Sequence, residues 1–145
     1  MKRPRALAAG LMAATSAFVL SATAKAEALA MVGPERAQLM DAARVPVVET
    51  LKRDDVRFKV ETLKVEGDWA FLVADMQDKA GRPIDYAGTS LAEPAREGFV
   101  SRTYAALLKR EDGRWSLKAH ALGPTDVAWA EWDRAYGAPS TLIRP

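Results

Sequence analysis

A chain of 145 residues with 21 basic and 19 acidic side chains, one histidine and no cysteine has few site chemistries open to it. Thiol catalysis, Cys-ligated zinc, disulfide staples and a lipid-modified cysteine are excluded, and a lone histidine falls short of the three or four ligands zinc needs. No G-x-S-x-G, G-x-G-x-x-G or phosphate-binding loop is present.

Lys2, Arg3 and Arg5 precede an apolar run over residues 6–20, and a small-residue stretch ends in Ala24-Lys25-Ala26. That order of regions predicts a secretory signal peptide over residues 1–26. The run is shorter than the roughly 20 residues a membrane-spanning helix needs. Cleavage after Ala26 would remove four basic residues and no acid, leaving 17 basic against 19 acidic side chains, a net charge of −2. A mildly acidic domain without a Lys/Arg stripe lacks the electrostatic footprint of a nucleic-acid binder. Residues 27–145 are enough for one core and too few for two ordinary domains. No second long apolar run follows. The expectation is therefore a periplasmic or secreted single domain, with no membrane contact after cleavage.

Residues 27–33 form a lead-in. Pro34 suits the first position of a helix and Glu35 its dipole, and Met40, Ala43, Val47 and Leu51 recur at helical spacing. Pro46 predicts a kink or a new turn, and the cluster Lys52-Arg53-Asp54-Asp55 an end. Next, Val56, Phe58 and Val60 alternate with charged residues before the apolar parity shifts to Leu63 and Val65, which predicts a β-bulge near Glu61-Thr62. Pattern favours a three-residue loop, Glu66-Gly67-Asp68, placing Val65 opposite Trp69 and Leu63 opposite Phe71 on one apolar face.

Residues 78–98 hold Gly81, Pro83, Gly88, Pro94 and Gly98 without a sustained period, and read as a long loop of the kind that often carries function. Asp112-Gly113 is a type I′ turn signal. Folding about it pairs Arg110 with Trp115, Leu108 with Leu117, Ala106 with Ala119 and Tyr104 with Ala121, and sets Lys109, Ser116, Lys118 and His120 on a wet face. A short helix is expected from Thr125 or Asp126, with Trp129, Trp132 and Tyr136 on one side and a stop at Gly137 and Pro139.

The candidate catalytic residues are weak. His120 lacks an orienting carboxylate and reads first as a surface histidine; Asp126, Asp85 and Tyr86 complete the set that could surround a pocket mouth. Asp75, Asp78 and Asp85 do not fit a calcium loop, so neither a metal site nor a cofactor is expected. Trp129, Trp132 and Tyr136 could contact a ligand or partner, against the alternative that they complete the core with Trp69 and Trp115. Trp132, flanked by Glu131 and Asp133, is the tail tryptophan expected to stay more exposed.

The segments Gly67-Asp68-Trp69-Ala70-Phe71, Ala106-Leu107-Leu108 with Gly113 and Trp115, and Gly123-Pro124-Thr125-Asp126-Val127 with Trp129 resemble those of small exported bacterial proteins known only as hypothetical proteins. That resemblance implies no activity. A helix followed by two hairpins is similar to cystatin-like and nuclear-transport-factor-2-like (NTF2-like) cone folds, which host inhibitors, ligand binders and enzymes alike. The expected architecture is α+β: a kinked N-terminal helix on a curved, four-stranded antiparallel sheet, closed at one end by a short C-terminal helix. The expected function is a non-enzymatic binding or interaction module for an unknown protein or small ligand in the periplasm. The alternatives are a small-molecule enzyme with a cone-shaped pocket, and an inhibitor of an extracellular hydrolase presenting the 78–98 loop.

Overall fold

The computed structural model describes Met31 and residues 33–145. The signal-peptide reading and its cleavage point lie outside these residues. Helix α1 (Pro34–Leu51) leads into strands β1 (Arg57–Glu66) and β2 (Trp69–Gln77), helix α2 (Ala92–Arg96), strands β3 (Thr103–Glu111) and β4 (Arg114–Leu122), and the short helices α3 (Trp132–Tyr136) and α4 (Ser140–Ile143). The fold is α+β, with one open antiparallel sheet in the order β1-β2-β3-β4.

Pro34 opens α1 and the helix continues through Pro46 to Leu51, so no new helix starts at the proline. Proline cannot donate to the carbonyl four residues back; here its ring is buried, along with Leu39, Ala43, Val47 and Leu51. Lys52 ends the helix in the left-handed region, at φ 55°, with its N–H on the Val48 carbonyl. The helix docks chiefly against β4. The Gln38 amide brackets the main chain of Trp115, accepting from its N–H at 2.7 Å and donating to its carbonyl at 3.2 Å. Tyr104 reaches across from β3 and donates to the Ala43 carbonyl at 2.6 Å. At the turn end, Arg110 joins Glu35 at 2.6 Å and Asp68 at 3.2 Å, tying helix and both hairpins together.

In the first hairpin the bulge falls where the parity shift predicts, with Glu61 unpaired between Val60 and Thr62. The turn differs from expectation. Glu66 pairs with Trp69, so the loop is the two-residue Gly67-Asp68, and Lys64 stands opposite Phe71. The reason is that β2 is covered on both faces. Ala70, Leu72, Ala74 and Met76 pack under α1, while Trp69, Phe71 and Val73 point to the opposite face. Trp69 therefore does not share a core with Leu63, Val65 and Trp115.

The second hairpin follows the predicted pairing from the Asp112-Gly113 turn as far as Leu108 with Leu117. A second bulge then intervenes: Leu107 pairs with Ala119, Ala106 with His120 and Tyr104 with Leu122. His120 consequently leaves the face predicted for it and lies on the α1 side, its ring 6.3 Å from that of Tyr104, with the residue exposed. The opposite side of this hairpin is not simply wet either, because Leu107 and Ala119 are buried there.

What buries them is the C-terminal segment. The expected helix from Thr125 forms only over Trp132–Tyr136, and a second one-turn helix, α4, follows Pro139. Gly137, at φ 74°, is the stop. Instead of closing one end of the sheet, the segment lies as a strap across its second face. Ala138, Leu142 and Ile143 seal Phe71, Leu107 and Ala119. Asp133, 6% exposed, pairs with Arg144 at 3.1 Å, and the strap is fastened to β1 by Thr141 donating to Glu66 and Lys64 donating to the Arg144 carbonyl.

Candidate functional site

The long segment between β2 and β3 is built from turn chemistry rather than period. Asp78 accepts from the N–H groups of Ala80 and Arg82 and from the Arg82 guanidinium. The Arg82 N–H, first among these, holds the Asp78 carboxyl below its ordinary range. Pro83 bridges back to Gln77, after which Ile84 and Tyr86 turn inward and are buried beneath the sheet end. Helix α2, which its Gly/Pro-rich surroundings conceal in the sequence, ends with Gly98 donating to Ala95 and Phe99 donating to Pro94. This is the paired bonding of a glycine-terminated helix, and it normally folds the following apolar side chain back onto the helix. Here Phe99 instead projects outward, 68% exposed.

A second loop, following β4, is locked beside the first. Gly123 sits at φ 69°, and a Cβ there would come within 2.2 Å of Val100 Cγ1, so glycine is required on both counts. Ser101 donates its N–H to the Gly123 carbonyl at 2.9 Å and its hydroxyl to the Pro124 carbonyl at 2.5 Å. Tyr86 donates to the Ser101 carbonyl at 2.5 Å, and Arg102 to the Ile84 carbonyl at 2.8 Å. Phe99 lies just before these fastened residues and Val127 just after them, the latter 60% exposed. Sequence reasoning singled out neither. The available signal was an apolar residue next to a helix-stopping glycine, and another in the loop after Gly123.

The four catalytic candidates are not assembled. No side-chain hydrogen bond or ion pair among the described residues joins any two of His120, Asp126, Asp85 and Tyr86. Asp126 is exposed, and among the described residues the Asp85 carboxylate accepts only from the Ala87 N–H. Burial raises the Tyr86 phenol to about 12, and its proton is engaged by Ser101, so it is no base near neutrality. Among the described residues no group of three or more acids and histidines is placed to hold a metal ion.

The tail aromatics lie on the strap face. Trp129 and Trp132 are half-buried against Phe71, with ring centroids 6.0 and 6.4 Å away, and Tyr136 is 44% exposed. An open hollow of about 530 Å³ lies at the end of α1 between Val48, Glu49, Lys52, Arg53 and Asp54. Beside it Arg53 forks onto Asp55 at 2.6 and 2.7 Å, which lowers the Asp55 carboxyl, and its remaining nitrogen meets the Asp85 carbonyl at 3.3 Å. The local guanidinium is thus already engaged. No family model, curated protein or solved structure matches this chain.

Proposed function

We propose that this is an exported binding module that engages a protein partner through the loop end of its sheet, with Phe99 and Val127 as anchors. The observation that carries the reading is their exposure, 68% and 60%, on two loops hydrogen-bonded into one platform. Large apolar side chains on a prearranged surface are what an interface core uses, since little ordering entropy is lost when a partner covers them. The space under α1, where a cone-shaped fold of the cystatin-like or NTF2-like kind would keep a ligand, is occupied. Leu39, Leu72, Met76, Tyr104 and Leu108 are each 0% exposed there. That supports a binder over a small-molecule enzyme. The inhibitor version of the reading moves its contact from the 78–98 segment to Phe99, because Ile84 and Tyr86 face inward.

The test is a photo-crosslinking residue placed at Phe99, and separately at exposed Val45 on α1, in protein expressed with its leader in the native envelope. Discrete adducts formed from position 99, absent from position 45 and abolished by Val127→Asp, support the reading. Equal labelling from both positions, or none from position 99, overturns it.

A further inference from the structure

The two outer strands of the open sheet are finished differently. On β4, the Gln38 side chain satisfies the main chain of Trp115. On β1, no backbone hydrogen bond among the described residues reaches the strand other than those of the β2 ladder. A ten-residue strand with an unpaired edge is a template for another strand.

Which groups face outward follows from the register. Glu66 and Trp69 flank a two-residue turn and so form a hydrogen-bonded pair; every second pair then repeats the pattern. Val65 and Leu63, in the intervening pairs, therefore turn their N–H and C=O to the open side. Beyond the bulge the same holds for Val60 and Phe58. Met76, opposite Phe58, gives its N–H to Arg102 and takes the Ile84 N–H on its carbonyl, leaving nothing for β1. All four outward-bonding residues are apolar, and Phe58, Val60 and Leu63 are only partly buried against the core. The apolar floor beneath α1 thus runs out to an edge that no described residue pairs.

We propose that β1 pairs antiparallel with β1 of a second copy of this chain, about a two-fold axis at Leu63, joining two sheets into one. The strand's own charges select that partner and that register. With Glu61 set aside as the bulge residue, the axis places Val60 against Val65 on the helix side and Lys59 against Glu66 on the other, each contact made twice. Moving the axis one place toward Thr62 sets Lys59 against Lys64; moving it the other way sets Lys64 against itself. Opposite charges directly across a strand pair stabilise it and like charges oppose it. The bulge and the lysines that discourage indiscriminate edge pairing therefore favour the Leu63 axis over both neighbouring registers, and an axis farther along, at Val65, would overlap only residues 63–67. This surface is separate from the loop end bearing Phe99, and does not depend on it.

Sedimentation of the purified protein across a concentration series tests the proposal, with circular dichroism on each variant to establish that it is folded. The wild type is expected to pass from monomer to dimer. Lys59→Glu and Glu66→Lys should each weaken the dimer about tenfold, since two opposite-charge contacts become two like-charge contacts. An equimolar mixture of the two variants should dimerise as the wild type does, because every mixed contact again carries opposite charges. The double variant Lys59→Glu/Glu66→Lys should also recover. A protein monomeric at every concentration overturns the proposal. So does a dimer that neither reversal weakens, or a mixture no stronger than its components.

Discussion

The two faces of the sheet are sealed in different ways. Under α1 the core draws on every element from α1 to β4, and most of its large side chains are fully buried. Under the strap, six buried residues suffice, and the aromatic layer of Trp69, Trp129 and Trp132 stays half open to water. The helix is held by a buried hydrogen bond from Tyr104 and a partly buried pair from Gln38, whereas the strap is fastened by Thr141, Lys64 and the Asp133–Arg144 pair near its end. One face is a closed core; the other is a cover laid over the sheet.

The largest expected effect is on the helix face. Trp115→Ala should lower unfolding free energy by about 3–5 kcal/mol, the usual range for a buried tryptophan, measured from the denaturant midpoint. Trp69→Ala, on the strap face, should lose about 1–2 kcal/mol because only part of its area leaves water. Equal losses at the two positions would erase the distinction between core and cover. Hydrogen exchange sharpens it further: amides of α3 and α4 should exchange through local opening well before those of β2 and β3. If the strap exchanges only with global unfolding, both faces belong to one cooperative unit.

Alkali tests the loop end that joins the two layers. The Tyr86 phenol, raised from 10.0 to about 12 by burial, is neutral in the folded state while its unfolded counterpart already ionises. The stability it contributes is fully present below pH 10 and should be lost progressively between about pH 10 and 12, read from thermal midpoints. Tyr86→Phe should reduce the slope of that part of the profile without abolishing it, because burial raises the Tyr104 phenol as well. The smallest effect is expected at His120, exposed at the rim: His120→Ala should change stability by less than roughly 0.5 kcal/mol. A larger loss would mean that its contact with the Tyr104 ring supports the helix face.

Where the sequence is legible, one local rule decides the outcome. Pro34 starts α1, the parity shift at Glu61 marks a bulge, Asp112-Gly113 turns the second hairpin and Gly137 stops α3. Errors arise where two rules compete. Reading only Trp69, Phe71 and Val73 as core ignores Ala70, Leu72 and Ala74 between them. The unbroken apolar run from Trp69 to Ala74 is the mark of a strand covered on both faces. Taken that way, it admits the two-residue turn and calls for a second covering layer. The bulge beside Lys118 left no such trace, since Leu117, Ala119 and Ala121 keep an apolar alternation right through it. The exposed pair Phe99 and Val127 is equally silent, because exposure of an apolar side chain depends on what other segments fail to cover.

The bracket that Gln38 places on Trp115 joins residues 77 positions apart, and this separation bears on how the chain acquires its shape. Each strand of the sheet neighbours the strand next to it in sequence, so the sheet can be assembled by short, local steps. Helix α1 is the exception: it precedes the sheet in the chain, yet its chief seat is β4, the strand that follows the others. Until β4 forms, the stripe of Leu39, Ala43, Val47 and Leu51 is covered only in part, by β2 and β3. A nascent chain halted before β4 therefore displays part of an apolar helix face of the kind holding chaperones recognise, and completion of the second hairpin removes that signal.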